Sequence, residues 1–209
     1  MYTPGAFAES RSEVLHALMR AHPFATAIVP RSEGVAVNHL PFELIDGKLC
    51  GHVARGNEMV ACDGLQALLV FHGPQGYVSP NWYPSKRETG REVPTWNYAV
   101  VHVHGRLRVI DERKWLRGLL DALTSRHEAD QPEPWRIDEA PADHIERLLG
   151  AIVGLQLDID RIEGKYKLSQ NHPADNRLGV IDGLCKRNAP GDAALADLMH
   201  ATEEAGDEC

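Results

Sequence analysis

Thr95–Ile110 constrains this chain more than any other stretch, because it is the longest strand candidate in the sequence. Val101, Val103, Leu107 and Val109 alternate with His102, His104, Arg106 and Arg108, and a period of two places the two sets on opposite faces. Shorter β-rich segments surround it: Ala25–Val29, Val35–Leu44, Lys48–Val53 and Leu65–Phe71 before, and Val153–Ile162 after. Turn signals separate them at Pro30–Gly34 and at Asp46-Gly47, where Asp-Gly between two such segments predicts a hairpin. Residues 57–63 read as one or two helical turns. The stretch 73–84 carries three prolines and two glycines and reads as loop or broken strand, followed by a mobile polar loop at Ser85–Glu92.

Helices flank this β pattern rather than alternating with it. Ser10-Arg-Ser-Glu13 fits a capping box, with Val14, Leu15, Leu18 and Met19 behind it at helical spacing and Pro23 as the stop. Asp111 is placed to cap a helix whose Trp115, Leu116, Leu119, Leu120 and Leu123 form one stripe. Pro141 suits the first turn of the next, with Ile145, Leu148, Leu149 and Ile152 on one side. A last helix is expected over Ala174–Lys186. Six or seven strands at hairpin spacing with helices inserted late predict a mainly antiparallel small barrel with peripheral helices, and a doubly wound sheet fits poorly.

With 209 residues, the chain reads as one domain or one domain with an appendage. A chain of this size buries ~70% of its unfolded surface, so no metal or disulfide is needed to supply a core. The division expected is a domain over 1–189 and an acidic C-terminal tail over 190–209, ending in Glu203, Glu204, Asp207 and Glu208. The net charge of −8 argues against broad phosphate-backbone binding. Apolar runs stop at about five residues, far below the ~20 a membrane span requires. Neither a secretory signal nor an Asn-x-Ser/Thr site is seen, and Cys50, Cys62, Cys185 and Cys209 show no CxxC spacing. A soluble, cytoplasmic protein with reduced thiols is expected.

Eleven histidines raise the question of a metal. His127-Glu-Ala-Asp-Gln131 has Gln where a zincin helix needs its second His, Gly164-Lys165 lacks the rest of a P-loop, and neither GxGxxG nor GxSxG occurs. His102 and His104 share a strand face and could pair on a metal. With Arg106 and Arg108 beside them, a charged sheet face that meets Asp158 and Asp160 of a neighbouring strand is the preferred reading, and no metal site is assigned.

Polar-aromatic clusters punctuate the strands at Asn38-His39-Leu40-Pro41, Gly51-His52-Val53-Ala54-Arg55-Gly56-Asn57, Tyr77-Val78-Ser79-Pro80-Asn81-Trp82-Tyr83 and Pro94-Thr95-Trp96-Asn97-Tyr98, with Lys165-Tyr166-Lys167-Leu168-Ser169-Gln170-Asn171 after the last strand. Asn, His and Trp at strand ends run against β-propensity and ask for a local reason. In this order and spacing, HVARGN, YVSPNWYPSK, VPTWNY and KYKLSQN resemble the PaiB family of FMN-binding negative transcriptional regulators, from the N-terminal MYTP to about Leu184. The resemblance implies a flavin-binding split barrel, a homodimer with FMN near the subunit interface, and DNA as a partner, which the charge does not support. Where that pattern often continues Ala-Asn-Pro, this chain reads Gly56-Asn57-Glu58.

FMN needs charge for its phosphate, polar contacts for its pyrimidine edge and a flat apolar surface for its ring. Arg55, at a strand end before a helical turn, is the first phosphate candidate and Lys167 the second. Asn38 and His39 suit the pyrimidine edge, Ser169 and Gln170 can add hydrogen bonds, and Trp82, Tyr83 and Trp96 offer stacking area. His52, Asn57 and Ser79 complete the candidate set. Each has an ordinary structural alternative: a solvated strand end for Arg55, core or interface packing for the aromatics, satisfied strand histidines, and an exposed turn for Lys165 and Lys167. Two further readings stay open. One is an FMN-dependent oxidoreductase of the flavin reductase or pyridoxamine-phosphate oxidase-like type, for which no acid or base can be named. The other is a haem- or metal-binding relative using the histidines.

Overall fold

The computed structural model describes residues 1–204. Its strands are β1 (Ala8–Glu9), β2 (Phe24–Arg31), β3 (Gly34–Pro41), β4 (Glu43–Ile45), β5 (Lys48–Ala54), β6 (Gln66–Val78), β7 (Thr95–Ile110) and β8 (Ile152–Lys167). Its helices are α1 (Ser12–Ala21), α2 (Ser85–Thr89), α3 (Arg113–His127), α4 (Ala142–Gly150), α5 (Ala174–Arg187) and α6 (Asp192–Glu204). The strands follow the order β3-β2-β6-β7-β8-β5-β4, with β1 on β8. β1–β8, β2–β3, β2–β6, β4–β5 and β5–β8 all pair antiparallel, so the expected mainly antiparallel class holds. Two compact units divide the chain: Met1–Leu18, His72–Val101 and the chain from Glu163 form the first, and Met19–Phe71 with His102–Ile162 the second.

In the second unit the β4–β5 turn sits where Asp-Gly predicts it. Asp46 and Gly47 both have positive φ, 48° and 75°, the backbone that a two-residue hairpin loop demands. β5 pairs with β8 from Lys48↔Asp158 to Ala54↔Ile152. Leu116, Ile137, Ile145 and Leu149 bury one cluster between α3, α4 and the 3₁₀ turn at Ile137–Glu139. Leu119 and Leu123 of α3 close over Cys50. Each such buried side chain contributes about 1.5–3 kcal/mol. Gly154 is required, because a Cβ there would overlap the Trp115 ring.

The first unit explains most of the differences from the sequence pattern. β6 does not break at Gly73-Pro-Gln-Gly76 but runs on to Val78. Its glycines give helices room: a Cβ at Gly73 would lie 2.9 Å from Leu18 and one at Gly76 2.9 Å from Leu195. Ser85–Thr89 is helix rather than mobile loop, stopped by Gly90 at φ 66°. Asn176 and Glu92 fix its start: the Ser85 hydroxyl donates to Glu92 at 2.6 Å and accepts from Asn176 at 2.7 Å. Much of the segment assigned to the acidic tail is α6, which buries Leu195, Ala196 and Met199; Asp207 and Glu208 lie outside the described residues. β8 runs through Lys167, so Lys165-Tyr-Lys167 is strand, not a turn after it.

Caps also differ. Arg11 rather than Ser10 precedes α1, its carbonyl accepting from Leu15 N–H at 3.1 Å. Glu112 stands at the N-cap of α3, since Asp111 is engaged elsewhere.

Candidate functional site

The first unit gathers aromatic rings and lysines on one strand face. Trp96 and Tyr98 lie two apart on β7, as Lys165 and Lys167 do on β8, so alternation points each pair one way. Tyr77 of β6 meets Trp96 edge to face, centroids 6.3 Å apart, and Trp96 remains 55% exposed. The Lys165 ammonium lies 5.4 Å from the Tyr98 ring centre and 5.8 Å from that of Tyr2, and donates to Tyr2 O at 3.2 Å. Lys167 donates to Thr95 Oγ1 at 2.6 Å and to Trp96 O at 2.7 Å, with Phe7 at 5.9 Å.

Among the described residues, neither lysine pairs with a carboxylate. Glu163, two positions before Lys165, instead takes the N-terminal ammonium at 3.4 Å. Burial, then repulsion from Lys165, pulls the Lys167 pKa below the ordinary lysine range. Two half-buried, like-charged ammonium groups framed by exposed rings are what a flat anion with a phosphate tail would complete. These residues fit FMN. Lys165 was missed because the fifth cluster reads as a turn; only the length of β8 puts it beside Lys167.

Ser169 and Gln170, by contrast, serve the backbone. Ser169 adopts φ 67°, and the Gln170 amide pins this turn by accepting from Leu168 N–H at 2.7 Å and donating to Tyr166 O at 2.5 Å. Ser169 Oγ accepts from buried Asn97 at 3.0 Å. Tyr83 is 2% exposed and stacks on His172 at 4.7 Å. Its hydroxyl makes no hydrogen bond of good geometry. Burial raises its pKa, and the nearby Ser169 hydroxyl offsets part of the rise. Ser79 caps the 3₁₀ turn Pro80–Trp82 through Asn81 N–H at 3.2 Å. Trp82 packs on α5, where a Cβ at Gly183 would overlap its indole.

In the second unit the candidates separate. Adjacent strand residues face opposite ways, so Asn38 and His39 cannot serve one edge together. Asn38 accepts from Asn57 Nδ2 at 2.8 Å, while Asn57 Oδ1 accepts from Met59 N–H at 2.8 Å to cap the turn Glu58–Cys62. His39 turns to the other face, 3.2 Å from Thr26 Oγ1 and 6.5 Å from the Phe24 ring. Phe24, Val35 and Val37 are exposed on that face, and β3 ends the strand order. His52 is partly buried, and desolvation lowers its pKa.

Arg55 does not present a free guanidinium. It grips Asp111 bidentately at 2.6 and 2.7 Å and donates to the carbonyls of Gly150 at 3.0 Å and Ile152 at 3.1 Å. This contact raises the Arg55 pKa and lowers that of Asp111. The sheet face carrying Arg108 is charged as the alternation predicts: Asp158 faces Arg108 at 3.5 Å and Lys48 at 3.3 Å, and Arg161 lies 3.2 Å from His104.

Known structures share this arrangement of elements. The FAD and heme binding protein of Mycobacterium smegmatis matches with a TM-score of 0.62 at 23% identity, over 82% of this chain and 78% of that one. A structure of a 5-nitroimidazole antibiotic resistance protein from Bacteroides thetaiotaomicron matches at 0.56 and 12% identity, over 76% and 85%. The fold is the flavin-binding split barrel. More particularly, the chain belongs to the family described as "Putative FMN-binding domain", which matches residues 1–161, and FMN is the cofactor of that class. The Protease synthase and sporulation protein PAI 2 of Bacillus subtilis is 30% identical over 207 residues, covering 95% of this chain and 96% of that protein. A protein of Emericella nidulans is 29% identical over the full length of both chains. The resemblance read from the sequence therefore holds.

Proposed function

We propose that the protein is a cytoplasmic, homodimeric regulator of the PaiB type whose state depends on FMN held at the aromatic-lysine face. Lys165 and Lys167 receive the phosphate, and Trp96, Tyr77 and Tyr98 line the ring. The observation that carries this reading is the pair of lysines without carboxylate partners on one strand face of a protein with net charge −8. Bound FMN supplies one- and two-electron redox chemistry; the chain's own residues bind it and set its orientation. The exposed apolar face of β2 and β3 supports a dimer, because the edge strand β3 with Val35 and Val37, beside Phe24 of β2, favours being covered. The global charge favours regulation through a protein or small-molecule partner over an unaided grip on DNA.

Equilibrium titration with FMN, followed by flavin fluorescence, tests the site. Lys165→Ala with Lys167→Ala is expected to weaken binding at least tenfold while the circular dichroism spectrum stays unchanged. Unchanged FMN affinity in this variant would remove the assignment. NAD(P)H oxidation at ordinary enzyme rates by the FMN-loaded protein would move the reading to an oxidoreductase.

A further inference from the structure

Two basic dipeptides a hundred positions apart, Lys86-Arg87 and Lys186-Arg187, read in the sequence as isolated spots. The first unit brings one residue of each, Arg87 and Lys186, to a cleft of about 360 Å³ between the segment Asn81–Arg87 and α5. Pro84 and the part of Trp82 left open beside Gly183 and the Arg187 guanidinium, which lies 5.0 Å from the Trp82 ring centre, line an apolar wall, and Arg87 and Lys186 contribute from opposite sides. Lys186 pairs with Asp182 at 2.5 Å and Arg187 with Asp192 at 2.5 Å, while Lys86 reaches only the neutral Asn81 side chain. The Arg87 side chain has no hydrogen bond or ion pair among the described residues. Glu88 follows Arg87 on α2, but adjacent helix positions do not face each other. Of the charged residues lining the cleft, Arg87 is thus left uncompensated, and Lys186 is held only by its exposed pair with Asp182.

We propose that this cleft binds a nucleoside monophosphate, with the phosphate between Arg87 and Lys186 and the base against Trp82 and Pro84. A phosphate monoester carries about −1.5 to −2 at pH 7, enough to engage Arg87 and to draw Lys186 away from Asp182. Asp182 weakens the site, yet an exposed i,i+4 pair such as Lys186–Asp182 is weak and screened by solvent, so Lys186 can turn to a stronger anion. The volume lies at the lower end of small-molecule sites, which run from about 300 to 1,000 Å³. A cleft of this size on an acidic protein suits a mononucleotide better than a polymer, which needs a continuous basic track. The site does not depend on the flavin assignment.

Because FMN is itself a phosphate monoester, the test uses the full chain saturated with FMN. Calorimetric titration with AMP at low ionic strength is expected to show one saturable site, with inorganic phosphate at least tenfold weaker for want of the apolar wall. Arg87→Ala and Lys186→Ala should each weaken AMP at least tenfold and leave FMN affinity unchanged, whereas Asp182→Asn should tighten AMP. The proposal is overturned by no saturable AMP binding up to millimolar concentration, by AMP affinity unchanged from wild type in either alanine variant, or by stoichiometric displacement of AMP by FMN. A single-stranded oligonucleotide that binds more tightly than AMP through the same two residues would also overturn it, reassigning the cleft to nucleic acid.

Discussion

Arg55 and Lys167 both look like phosphate ligands in one dimension, and their neighbours separate them. Four hydrogen bonds hold the Arg55 guanidinium against Asp111 and two carbonyls. Arg55→Ala is therefore expected to leave FMN affinity within twofold and to lower the thermal midpoint slightly, as loss of an exposed pair does; a tenfold loss of FMN affinity would return Arg55 to the site. Lys167 has only neutral acceptors, and its depressed pKa has a consequence for pH. The charged ammonium is the form that attracts phosphate, so FMN affinity should fall as pH rises toward the Lys167 pKa, beginning below the ordinary lysine value of ~10.4. Affinity that stays flat up to pH 10, in titrations at constant ionic strength, would contradict this. Residue types alone showed that an anion site needs Arg or Lys here; which cation is free depends on partners 56 positions away.

Among the elements, α5 and α6 depend on close approaches and on one ion pair between the exposed Arg187 and the buried Asp192. Gly183→Ala would drive a methyl group into the Trp82 indole, and overpacking of this kind costs about 1–3 kcal/mol. Urea unfolding should show that loss, and an unchanged midpoint would mean that Trp82 can move aside. Asp192 is 2% exposed, is held by Arg187, and accepts from Ala189 N–H at 2.9 Å, which together keep its pKa below the ordinary carboxylate value. A lowered folded-state pKa gives stability that is present above the unfolded value of ~3.9 and is lost as pH falls through the folded one. Asp192→Asn should therefore lower the melting temperature at pH 7 and narrow the gap to wild type below pH 4. β7, α3, α4 and α5 were legible because their apolar periods are long. The β6 continuation and α2 were not: their glycines, prolines and polar residues read as loop until the helices that pack on them are in place.

For the molecule as a whole, the proposed dimer and the DNA question turn on surface rather than core. Val35→Asp with Val37→Asp places two charges on the exposed face of β3. Light scattering is expected to report the proposed dimer for the wild type and a monomer for the variant, and a variant that stays dimeric would exclude this face. Direct repression predicts salt-sensitive binding to promoter DNA, which the net charge of −8 disfavours. No helix among the described residues is long and apolar enough to cross a membrane.

Taken by itself, the sequence determined the antiparallel class, the 16-residue strand, the Asp46-Gly47 turn and the family, because period-two alternation, turn chemistry and motif order are local properties. Tertiary structure alone decided which candidates are free to meet a ligand. It placed Asp111 on Arg55 and Asn57 on Asn38, extended β8 so that Lys165 stands beside Lys167, and brought Arg87 and Lys186 to one cleft. Hydrogen-bond saturation and charge compensation are settled between residues far apart in the chain, and no local pattern carries them.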